Sequence, residues 1–204
     1  MESRTELYDL LFSYVRLYDD EQTPFQEFAA VWCEGIGVEE TAKRLGADLE
    51  SAEEHDLVSA TDDIEIAEGY GVILAGLAGT WTLVVQVVGF DCVLDDALIR
   101  LSRDGSRALS LGWDIDGNEE IGYAVNGDVV TRLSVTCPEL RSGADPTALD
   151  PLMEGLKFQL DEDNPVVEES VNSAFALAGR VTGRKIDRAW LDAPHTRFLI
   201  PRAH

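Results

Sequence analysis

The stretch YGVILAGLAGTWTLVVQVVGF, residues 70–90, has no charged side chain, although 27% of the protein's residues are charged. A segment of that kind is stable only when most of it is withdrawn from water, so it marks the middle of any fold available to this sequence. Gly76, Gly79 and Thr80 interrupt it, and Val and Thr dominate its second half. Those residues favour two buried strands over one helix. With that interruption, no apolar run reaches the roughly 18 residues that a membrane-spanning helix needs.

A second pattern follows at 106–136. Leu109, Leu111, Trp113 and Ile115 alternate with Ala108, Ser110, Gly112 and Asp114, and Ile121, Tyr123, Val125, Val129, Leu133 and Val135 keep to odd positions. Period-two alternation predicts an antiparallel meander with one face buried. Asp114, Asp116 and Asn118 resemble calcium-loop ligands, but such a loop needs glycine sixth and glutamate twelfth, where Glu119 and Val125 stand. The stretch therefore reads as turns. Three-residue loops at Asp116-Gly117-Asn118 and Val125-Asn126-Gly127 would set Trp113 opposite Ile121, Tyr123 opposite Val129 and Ile121 opposite Thr131.

Around these strands the periodicity predicts helices. Leu7, Leu10, Leu11, Tyr14, Val15 and Tyr18 form an apolar stripe over 4–18, within an N-terminal helical segment 1–24. FAAVWCEGIG reads as a strand and VEETAKRLGAD as a short helix, its acids in the first turn and Lys43 and Arg44 in the last. Residues 48–68 read as an acidic surface loop with a helical turn. Further helices are expected at 93–103, 147–159, 166–181 and 185–191, and FLIP near the end reads as extended. The expected fold is one α+β domain over 1–204, with an antiparallel sheet of about five to six strands packed with N-terminal and C-terminal helices.

The formal net charge is −23. Repulsion from phosphates on that scale argues against nucleic acid and anionic membranes as partners. Residues 179–204 hold six basic and two acidic residues, leaving 10 basic and 37 acidic in residues 1–178. The basic segment 184–204 is expected to dock on the protein's own acidic body. The N-terminus lacks the basic and apolar regions of a signal peptide, which predicts a cytoplasmic protein. Scarce lysine with abundant Ala, Gly, Val and Asp suggests a GC-rich genome.

Residues that could carry chemistry are sparse. Cys33, Cys92 and Cys137 are widely spaced and form no CxxC, so they read as free thiols; no metal or other cofactor is expected. His55, His195 and His204 stand apart, and GxSxG and phosphate-cradle motifs are absent. Paired acids are too common among 39 to single out a carboxylate dyad. Trp32, Trp81, Trp113 and Trp190 read as core. Two acidic tracts, ESAEEHDLVSATDDIEIAE and DEDNPVVEE, remain. Within them Asp62, Asp63, Glu65, Glu68, Asp161, Glu162 and Asp163 are the candidate contacts to a cationic partner, because charge complementarity speeds association.

Trp32 to Gly35 followed by VEETAKRLGAD, then TWTLVVQVVG, LIRLSRDGSRALSLGWDIDG, YAVNGDVVTRLSV, GADPTAL and FALAGRVTG, together resemble an uncharacterised, Streptomyces-type actinobacterial family known as a domain of unknown function. The resemblance spans about residues 28–183 and implies one compact α+β domain; it carries no catalytic residues with it. The functional expectation is a non-enzymatic, acidic protein-binding domain of immunity or antitoxin type that neutralises a basic effector such as a toxin. The alternative is an enzyme or small-ligand protein with a pocket between sheet and helices.

Overall fold

A computed structural model describes residues 28–62, 69–113, 119–158 and 167–202. The described elements run β1 (Phe28–Glu34), α1 (Val38–Arg44), β2 (Asp48–His55), α2 (Leu57–Asp62), β3 (Tyr70–Ala78), β4 (Trp81–Val88), a 3-10 turn (Asp91–Val93), α3 (Asp95–Leu101), β5 (Arg107–Trp113), β6 (Glu119–Val125), β7 (Asp128–Ser134), β8 (Arg141–Ser142), α4 (Asp150–Met153), α5 (Val167–Thr182), α6 (Arg188–Leu191) and β9 (His195–Pro201). The N-terminal helix expected at 4–18 lies outside the described residues.

The class is α+β as expected, but the sheet is larger. It is one open antiparallel sheet of nine strands, ordered β2-β9-β3-β4-β1-β5-β6-β7-β8, rather than five to six. The uncharged run forms β3 and β4, which pair from Val72↔Val88 to Ala78↔Trp81. The first part of the acidic segment expected to be a loop is instead β2, and the helical turn expected within it is α2; residues 63–68 lie outside the described residues. The alternation of β2 is hidden because the strand bulges between Asp48 and Glu53, where the Ser51 hydroxyl accepts from Leu199 N–H at 2.9 Å. Charge and a bulge on a sheet edge both oppose pairing with other proteins. The opposite edge, β8, is two residues long.

Neither face of the central sheet is open, which corrects the one-sided burial expected for the meander. One face carries Ala30, Trp32, Leu83, Val85, Leu109, Leu111, Ile121 and Leu133 against Val171, Phe175 and Ala178 of α5 and Trp190 and Leu191 of α6. The other carries Val31, Cys33, Ile73, Val84, Ala108 and Ala124 against Ala42 of α1 and Ala97, Leu98 and Leu101 of α3. The small residues at even positions in β5 and β6 are therefore helix-facing, not solvent-facing. A Cβ on Gly122 would stand 2.5 Å from Leu98 Cδ1, so this strand must lack a side chain where α3 lies on it. The ends of α1 and α3 cap each other. Arg44 Nη1 donates to the Arg100 and Arg103 carbonyls, and Arg100 Nε donates to the Arg44 carbonyl at 2.8 Å. Carbonyls left without partners at both helix C-termini are thereby satisfied.

Away from the β6–β7 turn the meander sets odd residues opposite odd, but its register differs by two residues from expectation. Asn126 (φ 53°) and Gly127 (φ 87°) are both left-handed, as a two-residue type I′ turn requires. Val125 then pairs with Asp128 and Ala124 with Val129. A bulge at Val130 follows, so Tyr123 faces Thr131 and Ile121 faces Leu133. In β5–β6, Trp113 pairs with Glu119 and Leu111 with Ile121. The calcium-like set Asp114, Asp116 and Asn118 lies outside the described residues. The helix expected at 147–159 is a single turn, with Pro151 at its start and Gly155 in the left-handed region (φ 74°) after it.

The last strand is inserted between β2 and β3, pairing Glu53↔Arg197 on one side and Leu74↔Arg197 on the other. Phe198 and Ile200 of β9 are buried. Burial of two such side chains is worth roughly 3–6 kcal/mol, against a net stability of about 5–15 kcal/mol for a typical domain. A protein truncated after Pro194 is therefore expected to lose its cooperative unfolding transition, monitored by circular dichroism, and rapid amide exchange should reach β2 and the flank of β3. A truncated protein with the full-length transition would contradict this account.

Arg107 clamps β1 to β5 by bidentate hydrogen bonds to Glu34 while lying 5.2 Å from the Trp81 ring centroid. The guanidinium holds the Glu34 carboxyl below its ordinary range. A depressed carboxylate contributes stability that is present above its unfolded value of about 4.3 and lost as pH falls through the folded value. Both side chains are about a third exposed, so solvent screens the pair and the effect is modest. Urea midpoints of the native protein and Glu34→Gln should therefore differ at neutral pH and converge in acid.

Candidate functional site

One end of the sheet gathers described residues that flank the acidic segments. β1 begins there, because Phe28 pairs with Trp113 at the end of β5, and β6 begins there, because Glu119 pairs with Trp113. β3 begins at the same end, with Tyr70 opposite Pro201 and Val72 opposite Val88. Helix α5 is oriented by its contacts. The Phe175 ring meets Phe28 and Trp113 edge-on, at 5.5 and 6.1 Å, while Arg184, just past the helix, reaches to 3.9 Å from where a Gly79 Cβ would sit in the β3–β4 turn. Two further turns run back from Phe175 to Val167, so α5 also starts at the Phe28 end.

Of the sequence-predicted contact residues, Asp62 closes α2, while Asp63, Glu65, Glu68, Asp161, Glu162 and Asp163 lie outside the described residues. Their described flanks converge: the backbone re-enters at Gly69 and Tyr70 after the first tract and at Val167 after the second, both at this end. Described acids sit here too. Asp95 and Asp96 open α3, where the helix dipole favours negative charge, and Glu119 and Glu120 open β6. Arg132 holds part of this charge together, donating to Asp95 Oδ1 at 2.6 Å, to Glu120 Oε2 at 3.0 Å and to the Val93 carbonyl at 2.9 Å. This arrangement can attract and orient a cationic surface.

A second polar cluster, not foreseen from the sequence, lies where β2 meets β9. His55 pairs in register with His195, and Glu53 with Arg197. The Arg197 side chain is only 5% exposed and reaches Glu53 Oε2 at 2.5 Å, the same oxygen that lies 3.3 Å from His55 Nε2. His195 is held between Trp190 and Gly76. It stacks on Trp190 at 4.0 Å, and a Cβ on Gly76 would collide with its Nδ1. Its Nε2 lies 2.6 Å from the Trp190 carbonyl, which can only accept, so the proton is on Nε2. Trp190 Nε1 donates to the Leu77 carbonyl at 3.2 Å. His195 thus pins α6 to β3, while His55 and Glu53 have the geometry of an acid–base pair in which Arg197 shares the carboxylate. No local signal links residues about 140 positions apart, and reading β2 as a loop left His55 isolated.

The remaining reactive groups are muted. Burial pushes the Cys33 thiol up to about 12 and raises Cys92 as well, which leaves both poor nucleophiles. All four tryptophans are buried in one core cluster. Among the described residues, no group of three or more His, Cys, Asp or Glu side chains is placed to hold a metal ion, and no helix is long and apolar enough to cross a membrane.

No curated protein and no solved structure matches the sequence. Residues 22–203 match a family of unknown function, DUF6461, which takes in every described strand and both acidic tracts. The protein belongs to the DUF6461 family.

Proposed function

We propose that this protein is a non-enzymatic, acidic binding domain of immunity or antitoxin type, acting in the cytoplasm of an actinobacterial cell to neutralise a basic effector protein. The observation that carries the reading is the convergence of the flanks of both acidic tracts, with Asp95, Asp96, Glu119 and Glu120, on one end of the sheet. Such an end steers a cationic cleft by long-range attraction, which salt screens over about 8 Å at physiological ionic strength. The acids then occupy the cleft and exclude its substrate. Of the basic C-terminal residues, Arg197 is committed to Glu53, and Arg180 donates to the Leu152 and Glu154 carbonyls.

A second reading, an enzyme or small-ligand protein, rests on the Glu53–His55–Arg197 constellation. It predicts that a thermal-shift screen of small anions and metabolites finds a stabilising ligand whose effect His55→Ala abolishes. A screen without such a ligand would count against it.

The binding reading is tested by co-purification with the products of neighbouring genes, followed by kinetics on any basic partner. Neutralising Asp62, Asp63, Glu65 and Glu68 together, as Asn and Gln, should lower the association rate by about tenfold or more at low salt, while dissociation changes little. If no basic partner binds, or the neutralised protein associates as fast as the native one, the proposal is wrong.

A further inference from the structure

Asn126-Gly127 is the only Asn-Gly pair in the sequence. In a flexible polypeptide such a pair is the one most prone to lose its side-chain amide. The Gly127 backbone nitrogen gives up its proton to base and attacks Asn126 Cγ. A new bond forms between that nitrogen and Cγ, the bond from Cγ to Nδ2 breaks, and ammonia leaves behind a five-membered succinimide. Water then opens either carbonyl of the ring, giving aspartate or isoaspartate. Glycine permits this because it puts no side chain in the path of ring closure.

The fold occupies both reacting groups. Gly127 N–H donates to Ser102 Oγ at 3.1 Å, so the nucleophile is directed at the end of α3. Asn126 Oδ1 accepts from Gly105 N–H at 3.0 Å, which holds the side-chain amide away from its own backbone. Asn126 N–H donates to the Ser106 carbonyl at 3.0 Å, fixing the turn against the strand start. The left-handed conformation of both turn residues is imposed by the register of β6 and β7. Asn126 is nevertheless exposed, so base and water reach it freely, while Ser102 is fully buried.

We propose that Asn126 is a latent deamidation site that the folded protein keeps closed through Ser102 and Gly105. Reaction requires the β6–β7 turn to detach from the end of α3, so the rate of amide loss reports how often that turn opens. The product adds a negative charge beside Asp128, and isoaspartate adds a backbone atom that the two-residue turn has no room for. None of this depends on the proposed binding function.

The test ages the full-length protein in mildly alkaline buffer and follows residue 126 by peptide mapping with an isoaspartate assay. The folded native protein should retain its amide while the same protein in denaturant loses it. Ser102→Ala, which removes one acceptor, should age about fivefold faster than native when folded. Equal rates for the folded and denatured native protein would overturn the proposal, as would a folded Ser102→Ala protein that ages no faster than native. Should that variant fold poorly, hydrogen exchange of the Gly127 amide in the native protein decides: slow exchange supports the closed turn and fast exchange overturns it.

Discussion

The fold depends on a sheet buried on both faces. Once helices lie on either side of β3, β4, β1 and β5, those strands hold charge only at their ends, as Glu34 and Arg107 do, and strand side chains must shrink where packed elements come close. Gly122 lies under Leu98 of α3, and Gly112 lies under Phe90 in the segment that leads into the 3-10 turn. The pressure is mutual. Residues 70–90 can be wholly uncharged because two helical layers hide them, and the helices can be short because the sheet supplies most of the contact area. Two-sided coverage also confines ionisable groups to the ends and edges of the sheet, and there the protein's polar chemistry is found.

The parts of this fold that were legible in the sequence are those that burial dictates locally. The uncharged run predicted β3 and β4, and odd–even parity predicted β5, β6 and β7. What escaped was set by distant partners. The register of β6 and β7 follows from a two-residue Asn126-Gly127 turn and a bulge at Val130, and nothing in the local sequence marks the bulge. β2 was hidden because an edge strand tolerates the charges of DLESAEEH, and its bulge breaks the alternation. The FLIP half of β9 was legible as extended, while its first half was not, because His195, Thr196 and Arg197 are polar, although Arg197 is buried where it pairs with Glu53. The acidic tracts were legible as composition. Their flanks meet at one end of the sheet only because α5 runs in the direction that Phe175 and Arg184 define.

Crowding negative charge at one end is costly unless some of it is compensated in place, because like charges repel more strongly where water is scarce. Arg132 does this from a mostly shielded position, bridging Asp95 on α3 and Glu120 on β6. It therefore joins a helix to two strands and also lowers the local repulsion. At the other end the His195–Trp190 stack ties α6 to β9, and there Gly76 gives the ring its room.

The place of β9 in the sheet has a further consequence for how the protein is made. β3 leaves the ribosome well before the strand that will lie beside it, and β2 has no other strand partner among the described residues. With roughly a hundred residues between Ala78 and His195, synthesis at about 5–20 residues per second leaves those edges waiting for on the order of 5–25 s. Throughout that interval the nascent protein presents the apolar flank of β3 to other nascent polypeptides and to chaperones. The acidic character of β2 then protects a growing polypeptide as well as a finished one, by discouraging the wrong strand from taking the place that β9 will fill.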